Sequence, residues 1–235
     1  MRPGVGFGLV YRDRTFGHQV AVNRDFYEKA MSATGLMRHS GALQPEVQKA
    51  ILDAVMAAMA EVPPFTPVMP RTGRPFSVRM TNLGPLGWVS DRSGYRYQPS
   101  HPGTGRPWPP IPGIVLDVWR QVSGYAHDPE ACLVNVYREG AKMGLHRDAD
   151  EEDFSAPVVS ISLGDTAVFR IGGLERGGPT RSFRLASGDV LVLGGEARLA
   201  YHGIDRVLGG TSTLVPGGGR INLTLRRVTQ PFPAG

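Results

Sequence analysis

The 235-residue chain has a single cysteine, Cys132. That excludes an internal disulfide and any thiolate-rich zinc or iron–sulfur site, and leaves His and carboxylate as the side chains able to hold a metal. No stretch reaches 18 consecutive apolar residues, and the opening MRPGVGFGLVYRDR lacks the apolar core and small-residue cleavage site of a secretory signal. A cytoplasmic, membrane-free monomer is expected. Long uninterrupted helices are disfavoured too, because 31 Gly and 20 Pro punctuate the backbone. A helical bundle or coiled coil is thereby excluded. Internal repeats and low-complexity tracts are absent.

What the chain does contain is an ordinary globular composition, 41% apolar and 20% charged, at a length that suits one sizeable domain or two small ones. Its net charge of +5 and pI near 9.6 favour anionic partners without naming one. Residues 1–35 mix arginines with aromatics without a sustained period and read as a flexible extension. From Pro45, Val47, Ile51, Val55, Met59 and Val62 recur at helical spacing, with Pro45 as a first-turn proline and Pro63-Pro64 as the stop. The stretch 66–113, which includes GRPWPPIPG, reads as loop-rich and suited to lining a cleft; a second helix fits 113–123.

After Asp128 the texture changes to short apolar runs between turn signals: ACLVNVY, PVVSISLG, AVFRIGG, SFRLAS, DVLVLGG and INLTLRRV. This spacing predicts a mainly β fold with flanking helices, a sandwich or jelly roll. The expected division is 1–35 as extension, 36–127 as helices and a lid, and 128–235 as the core, with 36–235 forming one structural domain.

Within GLHRDADEED, His146 and Asp148 share a face of an extended segment because side chains alternate with period two. Alone, such a pair is as readily a surface salt bridge. His202, in RLAYHGIDR, lies past several expected strands and supplies a third ligand. Two His and one carboxylate leave open positions on an octahedral ion, as in non-haem Fe(II) oxygenases; zinc stays a competitor on these residues alone. In GGGRINLTLRRV, Arg220, Asn222, Thr224 and Arg226 share a face. An inward Arg requires an anionic partner, and Asn135 and Tyr137 of LVNVY can add hydrogen bonds to the same anion. A small dicarboxylate chelating the metal at one end suits the set. Glu151, Glu152 and Asp153 read as a solvated acidic face.

The run ACLVNVYREGAKMGLHRDADEED, followed by PVVSISLG, GGLERG, SGDVLVLGGEARLAYHGI and RINLTLR, resembles the AlkB family of Fe(II)- and 2-oxoglutarate-dependent dioxygenases, in particular its bacterial alkylation-repair branch. MTNLGPLGWVSDRSGYRYQP is similar to that branch's nucleotide-recognition region. The resemblance spans roughly residues 66–228, and the order of several motifs makes it specific. It implies a double-stranded β-helix, or jelly-roll, core. It also implies one Fe(II) held by His146, Asp148 and His202, which thereby carry the catalytic role. The cosubstrate 2-oxoglutarate would lie against Asn135, Val136, Tyr137, Arg220, Asn222 and Arg226, with O2 as second cosubstrate. The implied activity is oxidative demethylation of bases such as 1-methyladenine and 3-methylcytosine, releasing succinate, CO2 and an aldehyde, in repair of alkylated DNA; tRNA is an alternative.

For the base, the resemblance implies stacking between Trp88 and the His146 ring, with Asp150 accepting from the exocyclic amine. Tyr95, Arg96 and Tyr97 would grip the flanking backbone, and Arg176 would add a pocket-side contact. Three departures stand out. Leu193 occupies a position where relatives carry Trp, the loop LVPGGG before Arg220 is Gly-rich and expected to be mobile, and VMPRTGRPF over 68–76 differs in the lid. Two other readings compete: a 2-oxoglutarate-dependent hydroxylase of a protein or small molecule, and a non-catalytic binder of alkylated nucleic acid. The second is disfavoured by a complete set of His146, Asp148, His202, Arg220 and Arg226.

Overall fold

The computed structural model describes residues 35–231. The extension expected over 1–35 therefore lies, except for Gly35, outside the described residues.

Strand β1 (Leu36–His39) leads into helix α1 (Pro45–Glu61), which starts at the predicted proline and buries Val47, Ile51, Leu52, Val55 and Ala58. Each such Val, Ile or Leu side chain, fully buried, contributes about 1.5–3 kcal/mol. The segment expected to be loops instead holds β2 (Arg79–Leu83) and a hairpin of β3 (Gly87–Asp91) and β4 (Gly94–Gln98). Its strands are five residues each, too brief for alternation to show against the surrounding Pro and Gly. Helix α2 (Gly113–Val122) follows as expected.

The apolar runs become β5 (Ala131–Tyr137), β7 (Val158–Gly164), β8 (Thr166–Ile171), β9 (Arg181–Leu185), β10 (Val190–Leu193) and β12 (Arg220–Arg226). To these the structure adds β6 (Met143–His146) and β11 (His202–Leu208). Six strands in the order β1-β10-β7-β12-β5-β2 form one antiparallel sheet, and β6-β11-β8-β9 form the other. The fold is the expected jelly roll.

Period two along the central strands divides the large sheet between two cores. Cys132, Val134, Val136, Ile161, Ile221 and Leu223 face α1 and α2 together with Trp119. Leu133, Tyr137, Val158 and Leu193 face the small sheet and meet Phe169, Ile171, Leu185 and Ile204. The site opens within this second interior. Cys132 is fully buried, and burial pushes its thiol up to about 12, so it is an inert strand residue.

Candidate metal centre and cosubstrate cavity

His146 and His202 are direct partners in the antiparallel pairing of β6 with β11. That close approach depends on Gly203, where a Cβ would stand 2.5 Å from the Met143 carbonyl oxygen. Asp148 follows β6 by two residues, and one ligand atom from each of the three side chains lies within 4.8 Å of the others. His146 Nε2 is 3.8 Å from Asp148 Oδ1, and His202 Nε2 is 3.9 Å from Oδ2. In each imidazole Nδ1 sits 2.9 Å from a carbonyl oxygen, that of Gly144 for His146 and that of Ala200 for His202. A carbonyl only accepts, so Nδ1 carries the proton and Nε2 turns its lone pair to the shared point.

The protonation states suit a cation. Burial, with His146 close by, lowers His202 to about 4, so its ring is neutral at pH 7. Burial alone would raise Asp148, yet Arg226, His202, His146 and Arg198 outweigh it and hold the carboxylate below its ordinary range. Asp148 Oδ1 accepts from Arg226 Nη2 at 2.9 Å, whereas Oδ2 is buried with no hydrogen-bond partner. An ionised carboxylate with one orphaned oxygen, facing the Nε2 atoms of two imidazoles, fits a divalent metal.

The cavity beside this cluster is lined by Asn135, Tyr137, Arg220, Asn222 and Arg226, joined by Leu133, Ser160, Phe169, Leu193 and Thr224. Arg220 is 1% exposed and donates from Nη2 to Ser162 Oγ at 2.8 Å, while its Nε and Nη1 have no partner. Burial lowers it to about 10, which still leaves it charged at neutral pH. Two idle guanidinium donors in the wall of a cavity fit a carboxylate, and a carboxylate there with a second one at the metal is what 2-oxoglutarate offers.

Val136 departs from the expectation. Its side chain lies in the helix-covered core, because alternation along β5 turns it away from the cavity that Asn135 and Tyr137 line. Ser160 and Ser162 were missed; their signal was the same period, polar at every second position of PVVSISLG.

The Gly-rich loop before Arg220 is tied down by Asp165, which is 1% exposed. Its carboxylate accepts from the backbone N–H of Gly219 at 2.8 Å, Thr211 at 2.9 Å and Ser212 at 3.0 Å. Gly219, at φ 91°, also passes where a Cβ would meet the Tyr137 carbonyl oxygen at 2.5 Å. Burial would raise the Asp165 carboxyl, but these donors outweigh it and lower it. A carboxyl lowered on folding stabilises the fold above its unfolded value near 4, and that contribution is lost as pH falls through the folded one. Asp165→Asn is therefore expected to lower the melting temperature at pH 7 and to flatten the fall in melting temperature of the wild type below about pH 4. Parallel acid limbs in calorimetry would assign the pH dependence to other carboxyls.

The β3–β4 hairpin is bonded to the loop that follows Asp148. Trp88 donates from Nε1 to Asp150 Oδ2 at 2.8 Å and stacks on Tyr95 at 5.5 Å between centroids. The other two hairpin residues expected on the substrate backbone are already engaged. Arg96 donates to Asp91 at 2.8 Å and to Gln98 at 3.0 Å, and the Tyr97 hydroxyl donates to Glu151. Alternation explains the first, since Arg96 points to the face opposite Tyr95 and Tyr97. Arg176 is exposed and lies over the Tyr201 ring.

The acidic run after Asp148 is not a solvated face. Glu152 is exposed, but Glu151 is 6% and Asp153 4% exposed. Glu151 pairs with Arg198 at 3.1 Å and with Arg226 at 3.4 Å. Arg198, 2% exposed, also donates to the carbonyls of Asp148 at 2.8 Å and Ala156 at 2.9 Å. One guanidinium thus staples the loop that carries Asp148 and Asp150. Its partners are 42 to 50 residues away in sequence, so no local pattern announces it.

A jelly roll that brings a His-Asp-His cluster against a buried arginine with two unpartnered donors has the frame of a 2-oxoglutarate- and Fe(II)-dependent oxygenase, and residues 35–226 match the family model of the 2OG-Fe(II) oxygenase superfamily. The chain is 60% identical over 187 residues to the alpha-ketoglutarate-dependent dioxygenase AlkB homolog of Caulobacter vibrioides, covering 80% of this chain and 84% of that protein. It is 44% identical over 173 residues to the alpha-ketoglutarate-dependent dioxygenase AlkB of Escherichia coli, covering 72% and 80%. The solved structure of OsALKBH1 superposes with a TM-score of 0.68 at 32% identity, over 83% of this chain and 97% of that one. The chain belongs to the AlkB family of the 2-oxoglutarate–Fe(II) oxygenases. Its cofactor is Fe(II), with 2-oxoglutarate and O2 as cosubstrates.

Proposed function

We propose that this enzyme removes N-alkyl groups from bases such as 1-methyladenine and 3-methylcytosine in alkylation-damaged DNA. The observation that carries the reading is the cavity lined by Asp148 with its orphaned Oδ2, by two lone-paired imidazoles and by Arg220 with its free donors, next to a loop whose Asp150 is bonded to Trp88. Bound Fe(II) and 2-oxoglutarate supply the oxidation, in which methylated base, O2 and 2-oxoglutarate give repaired base, formaldehyde, succinate and CO2.

The chain's own residues bind and orient. His146, Asp148 and His202 hold the iron, and the Nδ1 bonds to Gly144 and Ala200 keep both rings aimed. Arg220 receives the distal carboxylate of 2-oxoglutarate, with Asn135, Tyr137 and Asn222 beside it and Arg226 at the metal end. Trp88 offers its ring to a base that methylation has made cationic, and Asp150 offers a carboxylate oxygen to the exocyclic amine. Tyr95 and Arg176 lie at the rim. Residues 36–231 act as one structural domain, and the protein as a cytoplasmic monomer. Among the described residues no helix is long and apolar enough to cross a membrane. Relatives whose names specify a substrate include DNA N(6)-methyladenine demethylases of Arabidopsis thaliana and the nucleic acid dioxygenase ALKBH1 of Mus musculus.

The test is incubation of iron-loaded protein with 2-oxoglutarate and matched single-stranded DNA and tRNA stem-loops carrying 1-methyladenine or 3-methylcytosine. Mass spectrometry should record loss of the methyl group together with stoichiometric succinate, faster on the DNA. Faster turnover of tRNA would exchange the substrate; succinate without demethylation would move the activity to a protein or small molecule.

A further inference from the structure

Arg220 has little protein support of its own. It is 1% exposed, and the one hydrogen bond its side chain makes among the described residues runs from Nη2 to Ser162 Oγ at 2.8 Å. Strand register explains that choice of partner. In the β7–β12 ladder Arg220 lies opposite Gly164, and Ser162 lies opposite Asn222. Because Gly164 has no side chain, the first group that the guanidinium meets along this face of β7 is the Ser162 hydroxyl, a diagonal contact within reach of a long side chain. Ser160 repeats the same diagonal one step along, accepting from Asn222 Nδ2 at 2.7 Å.

Ser162 is fixed in its turn. It is 1% exposed, its backbone N–H donates to the Asp189 carbonyl at 3.0 Å, and its carbonyl accepts from the Gly188 N–H at 2.8 Å. Arg220 and Ser160 belong to the wall of the cavity, and Ser162 stands behind it. A carboxylate in that place would neutralise the guanidinium permanently. A hydroxyl holds one nitrogen of the fork, leaves the charge uncompensated, and fixes where the free Nε and Nη1 donors point.

We infer that Ser162 is a positioning residue that sets the length of the 2-oxo dicarboxylate this site accepts. The inference rests on the placement of 2-oxoglutarate against Arg220 made under the proposed function. With the 2-oxo acid end held at the metal, the number of methylenes decides where the distal carboxylate falls, and Arg220 must present its donors there. A guanidinium released from Ser162 follows the carboxylate instead, so binding loses both its pre-organisation and its discrimination.

The test is anaerobic calorimetric titration of the Fe(II)-loaded full chain with oxaloacetate, 2-oxoglutarate and 2-oxoadipate, which share the chelating end and differ by one methylene at each step. The wild type should prefer 2-oxoglutarate. Ser162→Ala is expected to raise the Kd for 2-oxoglutarate about tenfold, the worth of one hydrogen bond to a charged group, and to change the other two much less. In turnover, KM for 2-oxoglutarate should rise with kcat held, the mark of lost binding. Ser162→Thr keeps the hydroxyl and should restore both affinity and preference, which a packing role alone would not allow. Should Ser162→Ala fail to fold, Ser162→Cys, with a weak acceptor in a similar volume, carries the same expectation. Wild-type affinity and preference, or equal weakening toward all three acids, would overturn the positioning role. Arg220→Gln tests the placement beneath it: binding of 2-oxoglutarate at wild-type strength in that chain would move the cosubstrate away from Arg220, whatever Ser162 does.

Discussion

Asp148→Ala is expected to lower succinate formation by more than about a thousandfold, well beyond the 10–100-fold typical of losing a residue that merely supports a metal ligand. Removal of the carboxylate leaves two imidazoles, and two neutral donors compensate no charge of a divalent ion buried between the sheets. The fold should survive, because Arg226 keeps Glu151 as a partner at 3.4 Å. Anaerobic Fe(II) titration should therefore show lost affinity in a protein with an unfolding transition near that of the wild type. Asp148→Asn, which preserves shape and discards charge, should lose nearly as much. Iron affinity and turnover at wild-type levels in either variant would remove Asp148 from the metal centre.

The second large effect concerns stability. Arg198→Ala deletes one member of a buried ion pair whose side chains are 2% and 1% exposed, and it frees the carbonyls of Asp148 and Ala156. Breaking such a pair by removing one partner costs about 3–5 kcal/mol, because the surviving charge stays buried. Arg226 shares Glu151, so the lower end applies. For a domain of this size that corresponds to a fall of roughly 10 °C in melting temperature. Arg198→Lys keeps the charge but cannot span three acceptors with a fork, and should fall between the two. Urea denaturation decides the matter, and a loss below about 1 kcal/mol in Arg198→Ala would show that solvent reaches Glu151.

Much of the site was legible because strand alternation is a local property. Arg220, Asn222 and Arg226 share the cavity as period two required, and so do Asn135 and Tyr137. The same rule placed Val136 on the far side, and Ser160 and Ser162 on the near side. The α1 boundaries followed from Pro45 and Pro63-Pro64, where proline dictates backbone conformation without help from distant residues.

What failed did so where the deciding partner was remote. Nothing in DADEED distinguishes Glu151 from Glu152, yet one is locked between Arg198, Arg226 and Tyr97 while the other is in water. Tyr97 reads as a backbone-gripping residue, whereas its hydroxyl donates to Glu151, 54 residues further on. The loop LVPGGG reads as mobile from its glycines, whereas Asp165, 54 residues before Gly219, accepts the backbone N–H at the loop's end.

The sequence by itself determined the six core strands β5, β7, β8, β9, β10 and β12, the faces of those strands, and the ligand types offered to a metal, because each depends on backbone period and side-chain chemistry over a few residues. Only the tertiary structure decided which charges are buried and what balances them. Desolvation is set by everything packed around a group, and for Asp148, Glu151 and Arg198 that surrounding comes from four separate segments of the chain.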